Sequence, residues 1–88
     1  MKTITTSTGF TIEVDEENFD DIEFVEMLAE VEDDVLKIPK VIKMTLGEDG
    51  KKALYDHVRT EKGRAPASKA IEVFKEIMEL TGDGGKNS

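Results

Sequence analysis

Apolar positions along the chain follow two different rhythms. Phe10, Ile12 and Val14 alternate with Thr11 and Glu13, the period of two that turns one face of a strand inward. Ile4 stands among threonines, and Ser7-Thr8-Gly9 between the two runs supplies a turn. Gly9 is the residue there that can take the positive φ of a short, bulged hairpin loop. The spacing predicts a β-hairpin over residues 2–14. A lone hairpin is marginal in water, so it must lie on the helices that follow.

From Phe19 the rhythm becomes helical. In Phe19-Asp20-Asp21-Ile22-Glu23-Phe24, Asp20 can accept from free amides while Glu23 reaches back, and Phe19 and Phe24 stand where a hydrophobic staple needs them. A first helix is predicted over about 21–32. Its apolar residues Ile22, Phe24, Val25, Met27, Leu28, Ala29 and Val31 cover roughly 220° of the wheel, against the ~100° stripe of an ordinary surface helix. Val35, Leu36 and Ile38 read as an apolar lead-in turn. Pro39 fits a first helical turn, where its missing N–H is not needed, and Gly47 closes a short second helix over 39–46. A third helix, 48–60, carries acids at its start and Arg59 near its end, as the helix dipole favours, with Leu54, Tyr55 and Val58 as a narrow apolar face. Gly50 weakens its first turn, by about 1 kcal/mol relative to Ala. Residues 66–80 form a fourth, on which Ala67, Ala70, Ile71, Phe74, Ile77 and Met78 keep helical spacing. The expected fold is mainly α (α+β): a hairpin on a small bundle of about four helices, a single domain over 1–81. The polar, glycine-rich residues 82–88 have nothing to bury and should form a flexible tail.

Composition mostly excludes functions. The chain has 88 residues, 20 Asp and Glu against 12 Lys and Arg, and no Cys. It is small enough that marginal stability or help from a partner is expected. A pI near 4.6 is a poor basis for displacing counterions from nucleic acid. Without Cys there are no disulfides, no thiol catalysis and no Cys-ligated zinc, which fits a reducing compartment. No apolar run reaches signal-peptide or membrane-span length, so neither export by that route nor membrane insertion is expected.

The net charge of −8 conceals a strong asymmetry. Residues 13–34 hold twelve acids and no Lys or Arg, whereas residues 37–69 hold nine bases against four acids. On the first helix the acids lie three and four apart, and each like-charge pair costs a few tenths of a kcal/mol. Lys37, Lys40 and Lys43 recur every three residues, and are expected to lie near Glu23, Glu26 and Glu30 of this chain or of a neighbouring copy.

Catalytic and metal-binding patterns fail individually. His57, the one histidine, has neither a nucleophile nor fellow ligands in its neighbourhood of sequence, so a structural or incidental role is expected. Asp15-Glu16-Glu17-Asn18-Phe19-Asp20 lacks the glycine of a calcium loop and places Phe where an oxygen ligand belongs. The end Gly82-Asp83-Gly84-Gly85-Lys86-Asn87-Ser88 departs from a phosphate loop at its first Gly and after its Lys, with no helix to follow. Arg59, Lys62 and Arg64 could hold an anion, but charge balance within the domain explains them better. No enzyme, metal or cofactor is expected.

What remains is interaction. The first helix carries more apolar arc than one core face uses, and the last carries nearly as much. Phe24, Met27, Leu28, Val31, Phe74, Ile77 and Met78 are therefore candidate protein-binding residues, in a homo-oligomer or on a client. The alternative is that the hairpin covers the other side of the first helix.

Several segments together resemble a known family. They are Thr6-Ser7-Thr8-Gly9-Phe10, Asp20-Asp21-Ile22-Glu23-Phe24, Leu28-Ala29-Glu30, Ile38-Pro39-Lys40, Leu46-Gly47, and Lys52-Ala53-Leu54-Tyr55-Asp56-His57-Val58-Arg59-Thr60-Glu61 with Gly63-Arg64 and Pro66. They resemble the small tail assembly chaperones of long-tailed phages and prophages of Gram-positive bacteria. The likeness runs over nearly the whole chain, with Asp49 and Gly50 departing from the stronger helix formers it would favour. It implies a non-enzymatic protein of the bacterial host cytoplasm, absent from the mature virion. Such a protein coats the tape-measure protein, keeps it soluble and recruits tail-tube subunits. The family is often made in two lengths by frameshifting, so a longer form of the same chain is a further implied partner. A different class stays open on charge alone: a small acidic regulator that imitates nucleic-acid charge and blocks a basic protein.

Overall fold

The computed structural model describes residues 1–82, and the expected flexible tail beyond Gly82 lies outside the described residues. Strands β1 (Lys2–Thr5) and β2 (Thr11–Val14) pair antiparallel, with Ile4 opposite Ile12 and Lys2 opposite Val14. The alternation is resolved as expected: Ile4, Phe10 and Val14 face the core while Thr3, Thr5 and Glu13 face water. Gly9 takes φ 89°, and the loop closes through Gly9 N–H on Thr6 O and Phe10 N–H on the Thr6 hydroxyl.

Helix α1 spans Ile22–Asp33. Its cap is Asp21, whose carboxylate accepts from Glu23 N–H at 2.8 Å, and not Asp20; two adjacent acids satisfy the same sequence pattern, and only backbone geometry chooses between them. Phe19 and Phe24 do pack edge to face at 5.4 Å, but with Asp21 as the cap they stand at N″ and N3 and not at the two staple positions. A 3₁₀ turn over Val35–Lys37, capped by Asp34 on Leu36 N–H, leads into α2 (Ile38–Val58). Pro39 lies in the first turn of α2.

Gly47 breaks α2 in the middle, with φ 78° and ψ 174°. Side-chain-bearing residues avoid that region, so the second and third expected helices are joined by a glycine hinge, as two segments at an angle. The break leaves carbonyls without helical partners. Asn18 Nδ2 donates to one of them, Thr45 O, at 3.2 Å. Gly50, which weakens the helix by propensity, is required by packing: a Cβ there would lie 2.7 Å from Leu46 Cβ and 3.2 Å from Ile12 Cδ1. Helix α3 spans Ala67–Thr81.

Ile42, Leu54, Ile77, Val14 and Val41 form the driest part of the core. The hairpin closes over this core by packing β1 on α3 and β2 on α2. Its attachment is also polar: Glu76 accepts from Ser7 N–H and Oγ, and Lys2 Nζ donates to Leu80 O at the end of α3, where the helix dipole favours a cation. Helix α1 packs on α2 and on the 3₁₀ turn that follows it. The hairpin therefore covers α2 and α3, and the far side of α1 is left in water.

Candidate functional site

Where Asp34 ends α1 and the chain turns into α2, Val35 and Leu36 project outward and are 56% and 83% exposed. They form one wall of a groove of about 400 Å³. Ile38 and Pro39 at the start of α2 continue that wall. The Gly47 break folds the second segment of α2 back so that Tyr55 reaches the same groove, and Ala67, Ala70 and Ile71 at the start of α3 form the floor and far side. Small residues there leave the hollow open. Every lining residue is apolar apart from the Tyr55 hydroxyl. A small-molecule site needs a few placed polar groups to orient its ligand; a groove without them suits apolar side chains of a protein partner.

Charge surrounds the groove asymmetrically. Lys51 Nζ stands 5.9 Å from the Tyr55 ring centre, and Lys40 and Arg64 are exposed beside Pro39 and Ala65. Along α1, Glu23, Glu26, Glu32 and Asp33 are exposed to water, with no ion pair among the described residues. Glu30 alone of the α1 acids is paired, with Lys37 at 2.8 Å. That carboxylate, with help from Asp34, raises the Lys37 ammonium above its ordinary pKa. Of the other lysines expected near α1, Lys43 turns to Glu48 across the Gly47 break at 3.9 Å, and Lys40 has no ion pair among the described residues.

The seven candidate binding residues read from sequence are not where the free apolar surface is. Phe24, Phe74 and Ile77 are buried in the core, while Met27, Leu28, Val31 and Met78 pack half-buried against it. None lines the groove. The exposed apolar surface is Ile22 (71%) and Val25 (52%) on α1, with Val35 and Leu36 beside the groove. One sequence signal pointed to the latter: consecutive apolar residues in a turn directly after a helix-ending acid, which cannot all face inward.

His57 joins the hairpin to α2, its Nε2 2.9 Å from Thr8 Oγ1 and its ring 5.0 Å from that of Phe10. A shallow hollow of about 310 Å³ beside it is lined by Thr60, Lys69 and Glu72. Arg59 bonds Asp56 and Gly63 O, closing the loop between α2 and α3 on itself. Among the described residues no group of three or more His, Asp or Glu is arranged to hold a metal ion, and no helix is long and apolar enough to cross a membrane. No protein-family model, curated protein or solved structure matches the chain.

Proposed function

We propose that the protein is a phage tail assembly chaperone that binds the tape-measure protein through its apolar groove. What supports this is the groove itself, about 400 Å³ of apolar wall with Leu36 standing 83% in water, together with the family resemblance of the sequence. A tape-measure chain exposes long apolar helical surface before a tube encloses it. Many copies, each masking a few side chains in a groove, would hold that surface soluble and release it as tail-tube subunits arrive. On this reading the protein acts without catalysis or cofactor, in the host cytoplasm, beside a longer frameshifted form of itself, and leaves before the virion matures.

The test is co-expression with the tape-measure protein of the phage or prophage that encodes the chain. Wild-type chain should keep that protein soluble, and Leu36→Glu, which places a charge in the groove wall without touching the core, should not. A tape-measure product that stays insoluble beside excess wild-type chain would sink the proposal.

A second reading has an observation of its own. The uncompensated acids of α1 could imitate phosphate charge and block a basic protein. A complex held that way would dissolve as salt screens it, whereas an apolar groove complex would survive.

A further inference from the structure

We propose that the groove between α2 and α3 selects helical client segments whose apolar stripe is flanked by Asp and Glu. This rests on the groove being a client site, as proposed above, and adds the chemistry by which a client is chosen. All the lining residues but Ala65 lie in α2, α3 or the 3₁₀ turn before α2, and none lies in a strand. The groove therefore has no strand edge for an extended segment to pair with. A helix brings its backbone already bonded. It needs only apolar side chains at i, i+3 or i+4 and i+7 to fill a hollow of about 400 Å³. Ala67 and Ala70 on the groove side of α3 leave that space to the client, so large aliphatic side chains suit it.

Charge sets what flanks the stripe. The stretch 35–71, which supplies every lining residue, carries nine bases against four acids. Two of those acids are already answered, Glu48 by Lys43 and Lys51 and Asp56 by Arg59. Asp34, directly before the groove wall, accepts from Leu36 N–H. Lys40 beside Pro39, Arg64 beside Ala65 and Lys52 three residues before Tyr55 are exposed, and none has an ion pair among the described residues. Lys37, next to Leu36, is already neutralised by Glu30 of α1. A client flanked by carboxylates would meet the uncompensated cations of Lys40, Lys52 and Arg64, and one flanked by Lys or Arg would be repelled by them. Each exposed pair changes affinity by at most about fivefold. The apolar stripe therefore supplies the binding, and the flanks supply the choice.

The test uses fluorescently labelled synthetic helical peptides that share one leucine stripe and are flanked by Glu, Gln or Lys, titrated with the full chain and read by anisotropy. At low salt the Glu peptide should bind about tenfold tighter than the Lys peptide, with the Gln peptide between them. In about 1 M salt the difference should shrink to under about threefold. Lys40→Glu combined with Arg64→Glu, both at exposed positions, should invert the order. Ala67→Phe, also at an exposed position, fills the groove without adding charge and should weaken all three peptides alike. Circular dichroism checks the fold of each variant, and Lys52→Glu replaces the double variant should that misfold. Equal binding of the three peptides, a preference for Lys, no binding of any, an order unchanged in the charge variants, or full binding by Ala67→Phe overturns the proposal. So does equal binding by a Glu-flanked peptide held out of helix by proline. A tape-measure protein left insoluble by a chain that ranks the peptides as stated would count against the chaperone reading alone. One kept soluble by a chain that ranks them otherwise would count against the acidic-flank selection alone.

Discussion

Replacing Gly50 by alanine sets two physical effects against each other, and the structure decides the sign. By helix propensity the change should stabilise, by up to about 1 kcal/mol, because glycine in a helix loses more backbone freedom on folding. The new methyl, however, would lie 2.7 Å from Leu46 Cβ and 3.2 Å from Ile12 Cδ1. Ile12 can swing its terminal methyl aside. Leu46 Cβ is fixed to the backbone and cannot, so the two segments of α2 must separate at the Gly47 break. Overpacking of that kind costs about 1–3 kcal/mol, which against the propensity gain leaves a net loss of up to about 2 kcal/mol. Urea unfolding followed by circular dichroism reads this directly. With a slope of about 1 kcal/mol/M for a domain this small, the midpoint should fall, by up to about 2 M. A midpoint that rises instead would show that Leu46 and Ile12 leave room for a methyl at Gly50 and would refute the reasoning.

Three further outcomes follow from the packing. Leu54→Ala removes a side chain that is 0% exposed and should cost about 2–5 kcal/mol, read by the same urea series. Glu76→Ala takes the acceptor from Ser7 N–H and Oγ and should cost about 1 kcal/mol, with hydrogen exchange quickening in the hairpin loop before the helices. The Lys37 ammonium is raised in the fold by Glu30. Its contribution is therefore complete below the ordinary value near 10.5 and is lost as pH rises through the raised one; the alkaline decline in urea midpoint should be smaller in Glu30→Gln.

Periodicity carried the element positions well. The hairpin, the helix limits and the break at Gly47 were legible because each is set by local chemistry: alternation, caps, and a backbone angle that only glycine tolerates. Which faces meet was not legible. The wide apolar arc of α1 is consistent with a covering hairpin or with a partner, and nothing in the spacing says that β1 would choose α3 and β2 would choose α2. The same limit explains the binding residues. Phe24 and Phe74 are the largest apolar side chains on their helices and the core takes them first, whereas Ile77, no larger than the groove-lining Ile71, is buried by the face it occupies. Ile22, Val25 and Leu36 are left outside by the angle of the turn after Asp34, a tertiary fact. Lysine spacing likewise placed Lys37 beside Glu30 but could not foresee that the Gly47 break would hand Lys43 to Glu48.

The apolar stripe on α1 bears on both functional readings, through magnitude. An acidic surface that imitates nucleic acid needs charge facing outward and gains nothing from Ile22 and Val25 among its acids. Ile22 and Val25 are 71% and 52% exposed, so burying the remainder contributes about 1–2 kcal/mol each, whereas an exposed ion pair contributes about 0–1 kcal/mol. The apolar pair therefore sets the strength of any contact α1 makes, and the acids around it set direction and partner. Association costs at least about 4 kcal/mol in lost freedom, so one such contact is weak by itself. Weak apolar contacts of this kind hold only where several act together, and each is reversible alone. Reversible masking of that kind is what the proposed chaperone reading asks of such a surface.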